Sequence, residues 1–100
     1  MKQVRRQRKE SALEAKCVKW ARARGIQVSK NTELIGTPDR TFWLVGGVVL
    51  VPEFKRPDGN GATSQAQDWH LAKLRENGYD APVIDSWEEF LAAMKKRGVE

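Results

Sequence analysis

Three stretches of the chain carry apolar residues at the three-and-four spacing of a helix, and each opens on the same punctuation. A serine followed three residues later by Glu or Gln starts them: Ser11 to Glu14, Ser64 to Gln67 and Ser86 to Glu89. In such a box the serine hydroxyl accepts from the third helical N–H, and the acid or amide returns a bond to the cap. The spacing predicts helices over roughly 11–24, 64–77 and 86–97, stopped at Gly25, Gly78 and Gly98. Their inward faces read as Leu13, Cys17 and Trp20; as Gln67, Leu71 and Leu74; and as Trp87, Phe90, Leu91 and Met94.

Between the first two helices the period changes. Thr41 to Val45 and Val48 to Lys55 are rich in β-branched and aromatic residues and flank Gly46-Gly47, which predicts a hairpin. Ile26 to Val28 and Pro82 to Asp85 are short candidate strands. The order is α, β, hairpin, α, β, α, and the expected fold class is α/β, a small mixed sheet flanked by helices. Residues 1–10 read as a basic N-terminal extension and 11–100 as a single domain.

Composition narrows the chemistry. Apolar residues at 40% and charged residues at 31% suit a folded globule. No stretch approaches the roughly 20 apolar residues of a membrane span, and no apolar segment follows the basic start, so a cytoplasmic protein without membrane contact is expected. One cysteine and one histidine exclude an internal disulfide and a Cys/His zinc site, so any metal must be held by oxygen. The net charge of +5 is uneven: residues 1–30 carry ten Lys/Arg against Glu10 and Glu14, whereas the remainder is slightly acidic. Such a basic segment, with Arg5, Arg6, Arg8 and Lys9 at its start, suits a grip on phosphate backbone; it equally suits a solvated helix.

The candidate chemistry lies on the hairpin. Pro38-Asp39 begins it and Glu53-Phe54-Lys55 closes it. In an extended strand Glu53 and Lys55 project from one face, which presents a carboxylate beside an ammonium at the end of an apolar run. If Asp39 joins them, two carboxylates can chelate Mg²⁺ or Mn²⁺, and the lysine can orient water or neutralise charge on a phosphate. The bland alternative is a surface ion pair.

These residues resemble the virus-type replication-repair nuclease family, VRR-NUC, within the PD-(D/E)xK nucleases. The resemblance runs from Glu14 through Gly36-Thr37-Pro38-Asp39-Arg40, Glu53-Phe54-Lys55-Arg56-Pro57, Gly59, Ser64 and Gln67 to Leu74 and Gly78, in order and with compatible spacing. It implies a restriction-endonuclease-like core of order αβββαβα and a Mg²⁺- or Mn²⁺-dependent DNA nuclease with a catalytic centre of Glu14, Asp39, Glu53 and Lys55, and Gln67 as an accessory residue. Its metal ligands would be Glu14, Asp39, Glu53 and the Phe54 backbone carbonyl. It further implies structured or branched DNA as substrate, a role in DNA repair, a homodimer, a bacterial or phage-infected cytoplasm and no organic cofactor.

Each role has a competitor. Glu14 is explained by its capping box, as is Gln67; Asp39 can simply start a turn; Arg40 and Arg56 can bind phosphate or pair with nearby acids. The competing functions are a non-catalytic DNA-binding protein and an interaction module with a tryptophan-rich face. The register of the hairpin decides whether a shared metal site is feasible. A two-residue loop puts Asp39 across from Phe54 and on the opposite face from Glu53, whereas a three-residue loop, Val45-Gly46-Gly47, puts Asp39 across from Glu53. A nuclease therefore requires the longer loop, a bulge near Pro52, or an Asp39 that leaves the ladder.

Overall fold

The computed structural model describes residues 11–32, 37–55 and 65–100. Helix α1 covers Ala12–Ala23, α2 Gln65–Glu76 and α3 Trp87–Lys96; strands β1 to β5 are Gln27–Lys30, Arg40–Trp43, Val49–Leu50, Glu53–Phe54 and Val83–Ile84. The serine half of the capping box forms at α1 and α3, while the Glu14 and Glu89 carboxylates accept from Arg40 and from the Asp85 N–H. Ser11 accepts from the Glu14 N–H at 3.0 Å, and Ser86 from the Glu89 N–H at 3.1 Å. Ser64 lies outside the described residues.

The hairpin takes the longer loop. Phe42 pairs with Leu50 and Trp43 with Val49, and the Leu44 N–H donates to the Val48 carbonyl at 2.8 Å. Val45, Gly46 and Gly47 form the turn between them. Both glycines are left-handed, with φ of 81° and 76°. Two consecutive positive φ angles there exclude a β-branched residue at either position at low cost.

The single long strand expected from Val48 to Lys55 is instead two short ones, and Pro52 is the reason. The N–H groups of Val51, Glu53 and Lys55 donate to the carbonyls of Asp80, Pro82 and Ile84 at 2.8, 2.9 and 2.9 Å. Backbone alternation turns the intervening residues toward β2, and the one that would continue that ladder beyond Leu50 is a proline with no N–H. The antiparallel sheet β1-β2-β3 ends there. The chain continues as β4 in a parallel pair with β5, with Glu53 beside Val83 and Phe54 beside Ile84. The result is a small mixed α/β fold in which one segment pairs with β2 on one edge and with β5 on the other.

The apolar core lies on the side of the sheet that faces α1 and α3. Phe42 and Phe90 are wholly buried with ring centres 5.7 Å apart, and Phe90 also meets Trp20, Phe54 and Trp87 at 5.5, 6.5 and 5.7 Å. Cys17 belongs to this core, as its place on the inward face of α1 predicts. Burial pushes its thiol up to about 12. On the other side, α2 buries Leu71 and leaves Leu74 half-buried.

Candidate active site

Glu53 stands where the strands part. The β4–β5 pairing carries its backbone inward, its side chain is only 3% exposed, and Gln67 from the first turn of α2 donates to its Oε1 at 3.2 Å. Gln67 thus works across the fold, toward the hairpin, and holds one carboxylate oxygen in place. Lys55, two residues on and half-buried, extends from the same face of the strand. Phe54 between them sends its ring into the core against Phe42 and Phe90, and strand alternation turns its carbonyl to the edge of β4 away from β5.

Asp39 enters on the other branch, immediately before β2, and is half-buried. Its backbone carbonyl accepts from the Asn31 N–H at 2.7 Å, continuing the β1–β2 ladder by one pair. The Asn31 side chain adds a second hold. Its Nδ2 donates to the Pro38 carbonyl and to the Thr41 hydroxyl, both at 2.9 Å. Asn31 therefore clasps the backbone on both sides of the Pro38–Asp39 peptide bond. Sequence reading misses this residue, because its partners come from strand pairing between distant positions; an Asn directly after a strand was the one available signal.

Glu14 takes a different position. Its carboxylate receives the Arg40 Nε–H at 2.8 Å, and both side chains are about 8% exposed. Alternation along β2 explains the meeting, since Arg40 points with Phe42 toward α1. Arg40, a candidate for phosphate binding in the sequence, is thus engaged in the interior, and the third carboxylate expected at the metal site is engaged with it. Among the described residues, no group of three or more His, Cys, Asp or Glu side chains is placed to hold a metal ion. Arg5, Arg6, Arg8, Lys9 and Arg56 lie outside the described residues.

No protein-family model matches the chain, and no curated protein does. Among solved structures it is similar to one described as "VRR_NUC domain", with a TM-score of 0.66 over 85% of this chain and 97% of that one. Sequence identity is 23%, so the likeness is one of architecture. The hairpin, the break at Pro52 and the parallel β4–β5 pair, with helices before, between and after, give this chain the fold of a VRR_NUC domain.

Proposed function

We propose that the protein is a divalent-metal-dependent DNA nuclease that hydrolyses phosphodiester bonds at the opening between β2 and β4. The observation that carries this reading is the buried Glu53, its carboxylate held by Gln67 at the point where Pro52 ends the β2–β3 ladder, with Lys55 two residues on. Asp39 arrives at the same opening from the neighbouring strand.

The donor set fits Mg²⁺ or Mn²⁺. Asp39, Glu53 and the Phe54 carbonyl are hard oxygen donors, and Mg²⁺ commonly uses one or two carboxylates while water and substrate phosphate fill the remaining positions. Such an ion supplies Lewis-acid activation of water and phosphate when bound. The side chains have separate tasks. Gln67 fixes the orientation of Glu53; Asn31 fixes the backbone that carries Asp39; the Lys55 ammonium orients the attacking water or offsets the charge that builds on the phosphate. Glu14 supports the site from behind, by holding Arg40 at the first position of β2.

Branched or otherwise structured DNA as substrate, phosphate contacts from Arg5, Arg6, Arg8, Lys9 and Arg56, and a homodimer that pairs two sites belong to the same reading. The test is cleavage of labelled single-stranded, duplex, flap and four-way-junction DNA in Mg²⁺, Mn²⁺ or chelator, with Asp39→Ala and Glu53→Gln beside wild type. Cleavage in either metal, abolished by chelator and by both substitutions while DNA binding persists, is expected. Cleavage undiminished in excess chelator overturns the metal requirement. Binding with no cleavage of any substrate would leave a DNA-binding protein.

A further inference from the structure

We infer that the groove between the outer face of the sheet and the C-terminal half of α2 seats an unpaired DNA base, with Trp43 and Tyr79 as its aromatic walls. The inference rests on the nuclease reading and adds to it a substrate class, DNA with unpaired nucleotides close to the cut.

The groove encloses about 570 Å³, within the range of sites that take a small molecule or a single base. Its construction follows from the pairing already described. Trp43 pairs with Val49, and the Leu50–Asp80 bridge sets Tyr79 beside Val49 on the next segment, so the two rings flank Val49 from positions two strand spacings, roughly 10 Å, apart. Val49 and Val51 form the floor and Leu74 of α2 the side. Trp43 and Tyr79 are 48% and 49% exposed, although the fold has a well-packed aromatic core on the other face of the same strands. The Trp43 ring is held by its indole N–H, which donates to Ser29 Oγ at 3.0 Å, and the backbone that carries Tyr79 is fixed by its N–H bond to the Leu74 carbonyl at 2.9 Å. An aromatic surface held in advance loses little side-chain entropy when a base stacks on it.

The remainder of the groove suits the aromatic pair to nucleic acid. Lys30, Thr32 and Thr37 line it with one cation and two hydroxyls, groups that suit a sugar-phosphate backbone, the Thr41 hydroxyl is held by Asn31, and Pro38 closes the end next to Asp39. Along β2, Trp43 and Asp39 are four residues apart, about 13 Å, or roughly four stacked base steps at 3.4 Å each. A base held at Trp43 therefore lies within a few nucleotides of the scissile bond. A continuous duplex keeps its bases inside the stack and gains nothing from the groove.

The test is equilibrium binding in chelator, so that cleavage does not intervene, of a labelled single-stranded oligonucleotide and a blunt duplex of the same length. Wild type is compared with Trp43→Ala, Trp43→Phe and Tyr79→Ala, and melting temperatures verify the fold. Each alanine variant should bind the single strand at least about fivefold more weakly, with duplex affinity and melting temperature unchanged and Trp43→Phe close to wild type. Equal weakening toward both DNAs, or none toward either, overturns the inference. Metal-dependent cleavage by a wild type whose alanine variants bind single strands normally would remove the base seat and leave the nuclease. A wild type that neither binds nor cleaves DNA would remove both.

Discussion

The two faces of the β1-β2-β3 sheet are built from alternate residues of the same strands, yet they are used in opposite ways. On the α1 and α3 side Phe42 is 0% exposed and packs into a cluster of rings; on the α2 side its neighbour Trp43 is 48% exposed and lines an open groove. Composition does not separate the faces, since both are rich in apolar and aromatic groups. Closure does. Among the described residues, two helices cover the first face, whereas α2 alone meets the second, through Leu71, Leu74 and Gln67, and the candidate chemistry lies along its rim. Stability is concentrated on one face and ligand access on the other.

The largest effect that would break this contrast is the loss of a ring from the packed side. Phe90→Ala should cost about 4 kcal/mol, a large share of the stability of a domain this size, while Trp43→Ala costs under about 1 kcal/mol. Thermal denaturation of the two variants makes the comparison, and equal losses would mean that the groove face carries the fold as well. Next in size is the buried ion pair on the packed side. Arg40→Ala strands the Glu14 carboxylate in the interior and should cost about 3 kcal/mol in urea unfolding, whereas Glu14→Gln tests whether Glu14 also serves catalysis. A Glu14→Gln variant that is stable but inactive would return Glu14 to the site.

A smaller effect depends on pH. The folded protein holds the Cys17 proton up to about 12 against an ordinary value near 9.0, so between those values it binds more protons than the unfolded chain. Stability from this group is therefore intact below pH 9 and falls as pH rises through the window, by up to about 1.4 kcal/mol per unit. Cys17→Ala should flatten that fall in denaturation curves collected from pH 8 to 11; an unchanged slope would locate it in other groups. The smallest effect lies in the turn, where Gly46→Ala at φ 81° should cost about 1 kcal/mol by the same measurement and leave the core untouched.

Much of the fold was legible because its signals are local. Serine boxes start α1 and α3, glycines follow the helices, and Gly46-Gly47 marks the hairpin, whose three-residue loop is one of the three arrangements that would let Asp39 and Glu53 share a face. The break at Pro52 was half legible. A missing N–H marks Pro52 as one place where the ladder can break, but deciding that the chain changes partner there requires knowing that β5 offers carbonyls on the opposite edge. Glu14 was ambiguous for the same reason: its backbone N–H fulfils the capping box, while its side chain answers to Arg40, a residue of another element. Asn31 and Tyr79 depend wholly on pairings between distant segments, and periodicity carries no trace of those.

The parallel β4–β5 pair also sets an order of events. The hairpin closes over a few residues, but Glu53 meets Val83 only after about thirty, so the second closure costs roughly 1.4 kcal/mol more in chain entropy. During synthesis the hairpin has emerged before β5 exists, and α2 has no second strand on which to settle. The cleft therefore waits for β5, and a chain interrupted before Val83 would carry all five candidate catalytic residues without the frame that brings them together.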